Sequence, residues 1–356
     1  MSDVPEDLDA VRLGDGPLPE AAAASLAAAD RVAGFGTDVP ATLVWAVSAG
    51  AAVSEQWSLA EQWTFLAAVA FRDVAAARIL EPHLDALTIL EQARRSGCEV
   101  DLASMGAGSE SSWGVFAAEG AGVRLEAQMV GSRWHLSGTK PWCSLAQQVT
   151  HALVTAWVGD ERRLFAVEMQ RPEVAPRSGP WHARGLDQIV SAPVDFADAP
   201  AVPVGEPGWY LRRPGFAAGG IGVAACWWGG VLPLRSALLD AARRPGADQL
   251  SRVHLGNADM ALWGARLALR TAAKEMDGSA ALRYPGTLAG RARAIVASAV
   301  ESTLADTARA LGPLPLVADE GHARRVADLQ IYLRQHHGER DVARIGADIA
   351  EGCGTW

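Results

Sequence analysis

The sequence offers no cysteine pairing. Its four cysteines, Cys98, Cys143, Cys226 and Cys353, are scattered without a Cys-x-x-Cys pair. That spacing argues against a disulfide scaffold or a zinc site, and reduced thiols in a cytoplasmic protein are the expectation. Basic runs are also missing. No five Lys or Arg residues cluster, and 32 basic against 41 acidic side chains leave a formal net charge of −9, so nucleic acid is not an expected partner. Long uninterrupted apolar runs are absent near the N-terminus, where the Ala-rich stretch is broken by Glu55, Glu61 and Arg72 and residues 1–20 are acidic. Neither a signal peptide nor a membrane-spanning helix is expected. Tyr and Phe are scarce, at 3 and 7, beside 13 Trp, an excess that composition does not explain.

What remains is a chain of 356 residues with mean hydropathy +0.07, enough to bury a substantial core in two or three layers. Residues 19–97 carry helical periodicity, with Glu61, Gln62, Arg72 and Arg78 set between apolar positions and with Pro40 and Pro82 as expected helix starts. The Gly- and Ser-rich stretch 106–112 punctuates the chain, and the period then falls to two. Val123, Leu125, Ala127 and Met129 alternate with Arg124, Glu126 and Gln128, the pattern of a sheet with one buried face. Further strands are expected at 113–119, 134–137, 151–158, 163–169 and 191–196. Beyond Gly205-Glu206-Pro207-Gly208 helical periodicity returns. Leu262, Ala265, Leu269, Ala272 and Met276 form one stripe, and Val296, Val300, Thr303, Thr307 and Leu311 another. Helices over 221–243 and 323–345 complete a four-helix bundle. The expected class is α+β, mostly α, with a helical domain over 1–111, a small antiparallel β domain over 112–208 and a helical bundle over 209–356.

Within the sheet region, Gly138-Thr139-Lys140-Pro141-Trp142-Cys143-Ser144 groups a turn-forming glycine, a fixed proline, a flat indole and a small hydroxyl. These suit a wall for a planar ligand and equally a plain turn. With Ser137 in front, the stretch resembles the Asn-Gly-x-Lys-x-Trp-Ile-Thr-Asn segment of the acyl-CoA dehydrogenase family, and the order helices, sheet, bundle agrees across nearly the whole chain. The resemblance implies noncovalently bound FAD, with Trp142 against the flavin ring, Ser144 near its reactive nitrogen and Cys143 between them. It places Glu119, in Ala117-Ala118-Glu119-Gly120-Ala121-Gly122, beside the flavin and substrate; Gly106-Ala107-Gly108-Ser109-Glu110 is the competing placement. Arg252, in Arg252-Val253-His254-Leu255-Gly256, resembles the family arginine that reaches the dinucleotide pyrophosphate from a neighbouring subunit, which implies a homo-oligomer or pairing with a homologous subunit.

The implied activity is α,β-dehydrogenation of an acyl thioester such as an acyl-CoA, with an electron-transfer flavoprotein as a possible acceptor. That reaction needs a base for the α proton. Counting from Asp328 to the family position of the base lands on His336, with Glu339 three residues on, and both are candidates. His336 and His337, adjacent in sequence, point in different directions on a helix and suggest no metal site. The other family location of the base holds Gly219-Gly220, and Ala308-Arg309-Ala310-Leu311-Gly312 stands in place of a Gln-x-x-Gly-Gly contact. These departures keep two alternatives open: a flavin-dependent monooxygenase or oxidase of a small metabolite, and a non-catalytic subunit of a heteromeric dehydrogenase.

Overall fold

The computed structural model describes residues 10–53, 56–278 and 282–353. Four helices come first: α1 Glu20–Ala29, α2 Val39–Ala52, α3 Leu59–Arg72 and α4 Val74–Arg95. Their starts follow from local capping chemistry. Asp38 accepts from Ala41 N at 3.0 Å, Ser58 and Glu61 form a reciprocal capping box, and Asp73 accepts from Ala76 N at 2.8 Å. Pro40 stands in the first turn of α2 as expected, whereas Pro82 lies inside α4. Asp73 is the stronger start signal there, and Pro82 only withholds from Arg78 the N–H that its carbonyl would otherwise accept.

Seven strands follow: β1 Trp113–Phe116, β2 Leu125–Val130, β3 Arg133–Ser144, β4 His151–Val158, β5 Glu161–Glu168, β6 Val174–Pro176 and β7 Ser191–Val204. Pairing runs β4-β2-β3-β7-β5 and returns to β4, so the sheet closes on itself, with β1 added on β4 and β6 on β7. Most pairings are antiparallel, but β1 lies parallel to β4, and Glu126 of β2 pairs parallel with Trp157. Residues 138–144, which suited a ligand wall or a plain turn, are the end of β3. Of the alternating set, Leu125 and Ala127 point inward, while Met129 is exposed.

The last third comprises α5 Trp209–Arg212, α6 Gly215–Arg243, α7 Gln249–Gly278, α8 Pro285–Leu311, α9 Leu314–Ala318, α10 Glu320–Tyr332 and α11 Glu339–Ala350. The stripes expected on α7 and α8 are buried through Ala272 and Thr307. The single helix expected over 323–345 is broken by a 3₁₀ turn, Leu333–Gln335, and His336 follows it in an extended conformation. Helix α6 is the one described helix long and apolar enough to cross a membrane, yet 67% of its apolar window is buried inside the protein. It is a core helix, and its backbone closes on α3 so tightly that a Cβ on Gly229 would sit 2.1 Å from Ala67 O.

One hydrophobic core runs through all three segments. The carboxy-terminal helices are tied to it by buried charge. Arg325 donates to Ala70 O, Phe71 O and Arg72 O at the end of α3 and to Gly230 O of α6, at 2.9–3.1 Å. It thereby satisfies carbonyls that a helix end leaves open. Leu186 N donates to Asp328 at 2.5 Å, holding the sheet's long loop to α10. Replacing Arg325 by Met keeps an unbranched apolar stem and removes all four bonds. The variant is expected to lose about 2–4 kcal/mol of stability, measured by denaturant unfolding, and retained wild-type stability would show that these bonds contribute little.

Candidate functional site

The site begins where β3 loses register with β7 between Lys140 and Cys143. Lys140, 1% exposed, points into the sheet interior, where its Nζ donates to Glu119 Oε1 at 2.7 Å and Thr155 Oγ1 at 2.8 Å. Burial would raise the Glu119 carboxyl, but the Lys140 bond and charge, Trp157 Nε1 and Arg162 outweigh it and hold the group below its ordinary value. Cys143 is also buried, its thiol on Lys140 O at 3.3 Å and pushed far up by burial. With its neighbours on both sides turned inward, Trp142 is thrown outward and is 63% exposed. The bulge costs backbone strain: Trp142 and Leu145 hold φ at 58° and 59°, a region that bulky residues avoid. Gly138 opens the same stretch at φ 120°, where a Cβ would lie 2.2 Å from Arg124 O.

Ser144 carries the strand to a buried polar cluster. Its Oγ accepts from Arg78 Nη2 of α4 at 3.0 Å and lies 2.6 Å from Ser191 Oγ. Arg78 reaches Glu81 at 3.4 Å, with the two side chains 14% and 13% exposed. One further turn along the same face, Asp85 accepts from Arg213 at 2.9 Å. Burial pushes the Glu81 carboxyl up to about 7 against the pull of Arg78, with Asp85 adding to the rise. Burial also raises Asp85, and Arg213 opposes it. Across from α4, the start of α6 carries no side chain at Gly219 and Gly220. A Cβ on Gly219 would lie 3.0 Å from Asp85 Oδ1, so the glycine leaves room for the Asp85 carboxylate beside α6.

Arg293 of α8 closes the cluster. It donates to Gly220 O and to Gln335 O, and its guanidinium lies 4.7 Å from the Trp227 ring centre. Burial works against its charge, and Asp341 is the first of the acids that support it. His336 stands 6.5 Å from the Trp227 ring, and burial lowers its pKa against the pull of Asp341. Tyr332 lies beneath Arg78, 5.8 Å from its guanidinium.

Of the residues singled out in the sequence, Trp142, Ser144 and His336 border this region. Cys143 belongs to the sheet interior behind it, and Glu119, itself exposed beyond the end of β1, meets the buried Lys140 ammonium. His337 is exposed, and Glu339 is exposed at the first turn of α11, outside the cluster. Arg252 is exposed near the start of α7. Sequence reasoning missed Glu81, Asp85, Arg213 and Arg293. The available signal was Arg78, Glu81 and Asp85 at i, i+3 and i+7, a charged stripe on a helix whose other faces are apolar. The positive φ at residue 142 can be tested by two truncations that both remove the indole. Trp142→Gly is expected to be about 1 kcal/mol more stable than Trp142→Ala, and equal unfolding midpoints would remove the claim of strain.

No protein-family model matches the chain, and no curated protein does. Solved structures do match over nearly its whole length. KijD3, in complex with FMN and a dTDP-amino-keto sugar, aligns with TM-score 0.75 at 19% identity over 99% of this chain and 96% of its own. The nitrososynthase of Micromonospora carbonacea var. africana aligns with TM-score 0.76 at 20% identity, over 96% and 99%. Butyryl-CoA dehydrogenase of Megasphaera elsdenii aligns with TM-score 0.74 at 14% identity, over 95% and 100%. The helices, closed sheet and bundle of this chain have the acyl-CoA dehydrogenase fold.

Proposed function

We propose that the protein is a flavin-dependent oxidoreductase, binding FAD noncovalently and acting on a small polar metabolite. The observation that carries the reading is Trp142, an exposed indole held at positive φ two residues before Ser144, whose hydroxyl touches the charged face of α4. A flat, rigidly placed indole fits a tricyclic ring, and strain of this kind concentrates at ligand sites. A second opening of about 440 Å³, lined by Thr307, Ala308, Gly312 and Leu316 among others, lies along the stretch that replaces Gln-x-x-Gly-Gly and has room for an adenine-sized group. The bound flavin would supply two-electron redox chemistry.

The chain's own groups suggest the rest. Trp142 would bind one face of the ring. Ser144 Oγ accepts from Arg78 and shares a proton with Ser191, so it would donate to the ring only by turning its hydroxyl. A proton released at the substrate would pass to His336, which burial keeps neutral to lower pH than a free imidazole. Glu339, exposed on α11, is less well placed for that role. The buried charge next to Ser144 favours the oxidase or monooxygenase alternative over dehydrogenation of an alkyl thioester, whose tail would have to desolvate Glu81 and Asp85.

Two measurements test this reading. Purified protein is expected to take up FAD with a shifted, quenched flavin spectrum, and Trp142→Ala to weaken uptake about ten-fold or more; a chain that leaves FAD unperturbed overturns the assignment. In the same holoprotein, anaerobic bleaching by hexanoyl-CoA would restore thioester dehydrogenation, with an electron-transfer flavoprotein as acceptor. We also propose a homo-oligomer, because Val253, Met260, Trp263 and Leu267 of α7 are 40–66% exposed along one face that Arg252 adjoins. Light scattering should give a dimer or larger species and Trp263→Glu a smaller one; a monomeric wild type would contradict it.

A further inference from the structure

Elsewhere among the described residues, the buried Lys140 and the half-buried Arg325 are well supplied with partners. Lys140 has two oxygen partners inside the sheet, and Arg325 has four carbonyls. The cluster beneath Ser144 is different. Of the buried side-chain polar atoms without a hydrogen-bond partner among the described residues, two belong to it, Arg213 Nε and Trp227 Nε1, while Tyr332 Oη has only the Cys226 thiol and His336 Nδ1 only Asp341 at 3.2 Å. Arg213, Trp227 and Tyr332 are at most 4% exposed. Unpaired groups at that depth are costly unless something else meets them. Both open atoms are N–H donors.

The charges point the same way. Asp85 is taken up by Arg213, and Glu81 has only the long contact to Arg78. Arg293 meets main-chain carbonyls and the Trp227 face. Asp341, the acid that most supports it, is shared with His336, His337 and Arg344. Three guanidinium groups therefore face two carboxyls. A floor with surplus cation and unpaired donors complements a ligand rich in acceptor oxygens and carrying negative charge. Access exists from the side of α6, where residues 217–220 are partly exposed and Gly220 presents no side chain; a Cβ there would meet nothing nearer than Arg293 at 3.8 Å.

We propose that the face formed by Arg78, Glu81, Arg213, Arg293 and His336 is a subsite for the carboxylate of a small metabolite, and that it sets the substrate class of the flavin site. Its role as a substrate subsite rests on the flavin reading, while the existence of a carboxylate site does not. Glu81 governs its occupancy. Facing Glu81 are Arg78 and Asp85 from α4, Tyr210 on α5, Cys226 on α6, Arg293 on α8 and Tyr332 on α10. With the Glu81 carboxyl raised to about 7, the group is neutral below that pH and the floor attracts an anion; as pH rises through 7 it ionises and repels one.

The test uses acetoacetate as a small carboxylate probe and acetone as its neutral counterpart, observed by saturation-transfer NMR on the full chain, first without flavin and then with FAD. Acetoacetate is expected to bind in both states and acetone in neither. Affinity should fall about ten-fold between pH 6 and pH 8. Glu81→Gln should abolish that fall while keeping the low-pH affinity, and Arg293→Met should weaken binding about ten-fold or more. Circular dichroism identifies a misfolded Arg293→Met, in which case the Glu81→Gln pH profile decides alone. Equal binding of acetone, no saturable acetoacetate binding, or a pH profile unchanged by Glu81→Gln each overturns the proposal. Binding without flavin but with no FAD uptake leaves the carboxylate site standing and sinks only the flavin reading.

Discussion

Charge buried in an apolar, alanine-rich interior is the constraint on which this structure turns. A guanidinium or carboxylate removed from water is tolerated only where its hydrogen-bonding capacity is met, and the protein meets it in two ways. Arg325 spends its donors on the open carbonyls where α3 ends and α6 passes, and Lys140 closes on Glu119 and Thr155 inside the sheet. Both join elements distant in sequence. In the α4 cluster the requirement is only partly met, with Arg213 Nε and Trp227 Nε1 left open among the described residues.

The sheet contributes a second cost, paid in backbone conformation. Placing Lys140 and Cys143 inside while ending β3 against α4 requires an irregular residue between them, and that residue is Trp142 at φ 58°. A small residue would satisfy the bulge with less strain. An exposed indole there has no packing role large enough to account for it, whereas a planar ligand lying on it would. The exposed indole and the buried charge meet at Ser144, which belongs to β3 and accepts from Arg78 of α4. One residue thus couples the geometry of the sheet to the charge of the helical layer.

How far the sequence alone reaches differs between fold and site. The order of helices, sheet and bundle was legible because periodicity registers which side of each element is buried, as in the α7 stripe from Leu262 to Ala272. Boundaries failed where a local signal was ambiguous. Pro82 reads as a helix start but sits within α4, because Asp73 had already capped the helix. The break at Leu333–Gln335 left no strong punctuation before Gly338. The Trp142 segment was singled out by its motif, while the motif's turn-like letters hid that it completes a strand.

The sequence by itself determined the alternation that builds the closed sheet, the apolar faces that build the bundle, and an indole and a hydroxyl two residues apart. It also determined that Gly219 and Gly220 carry no acid. Only the tertiary structure decided that α4 packs there and brings Asp85 and Glu81 to the same place, that Arg293 arrives from α8 and Arg213 from ahead of α6, and that Glu339 stays outside. The physical reason is that a side chain's protonation and partners depend on burial and on groups remote in the chain. Glu81 lies 63 residues before Ser144 in the sequence, yet one arginine joins them.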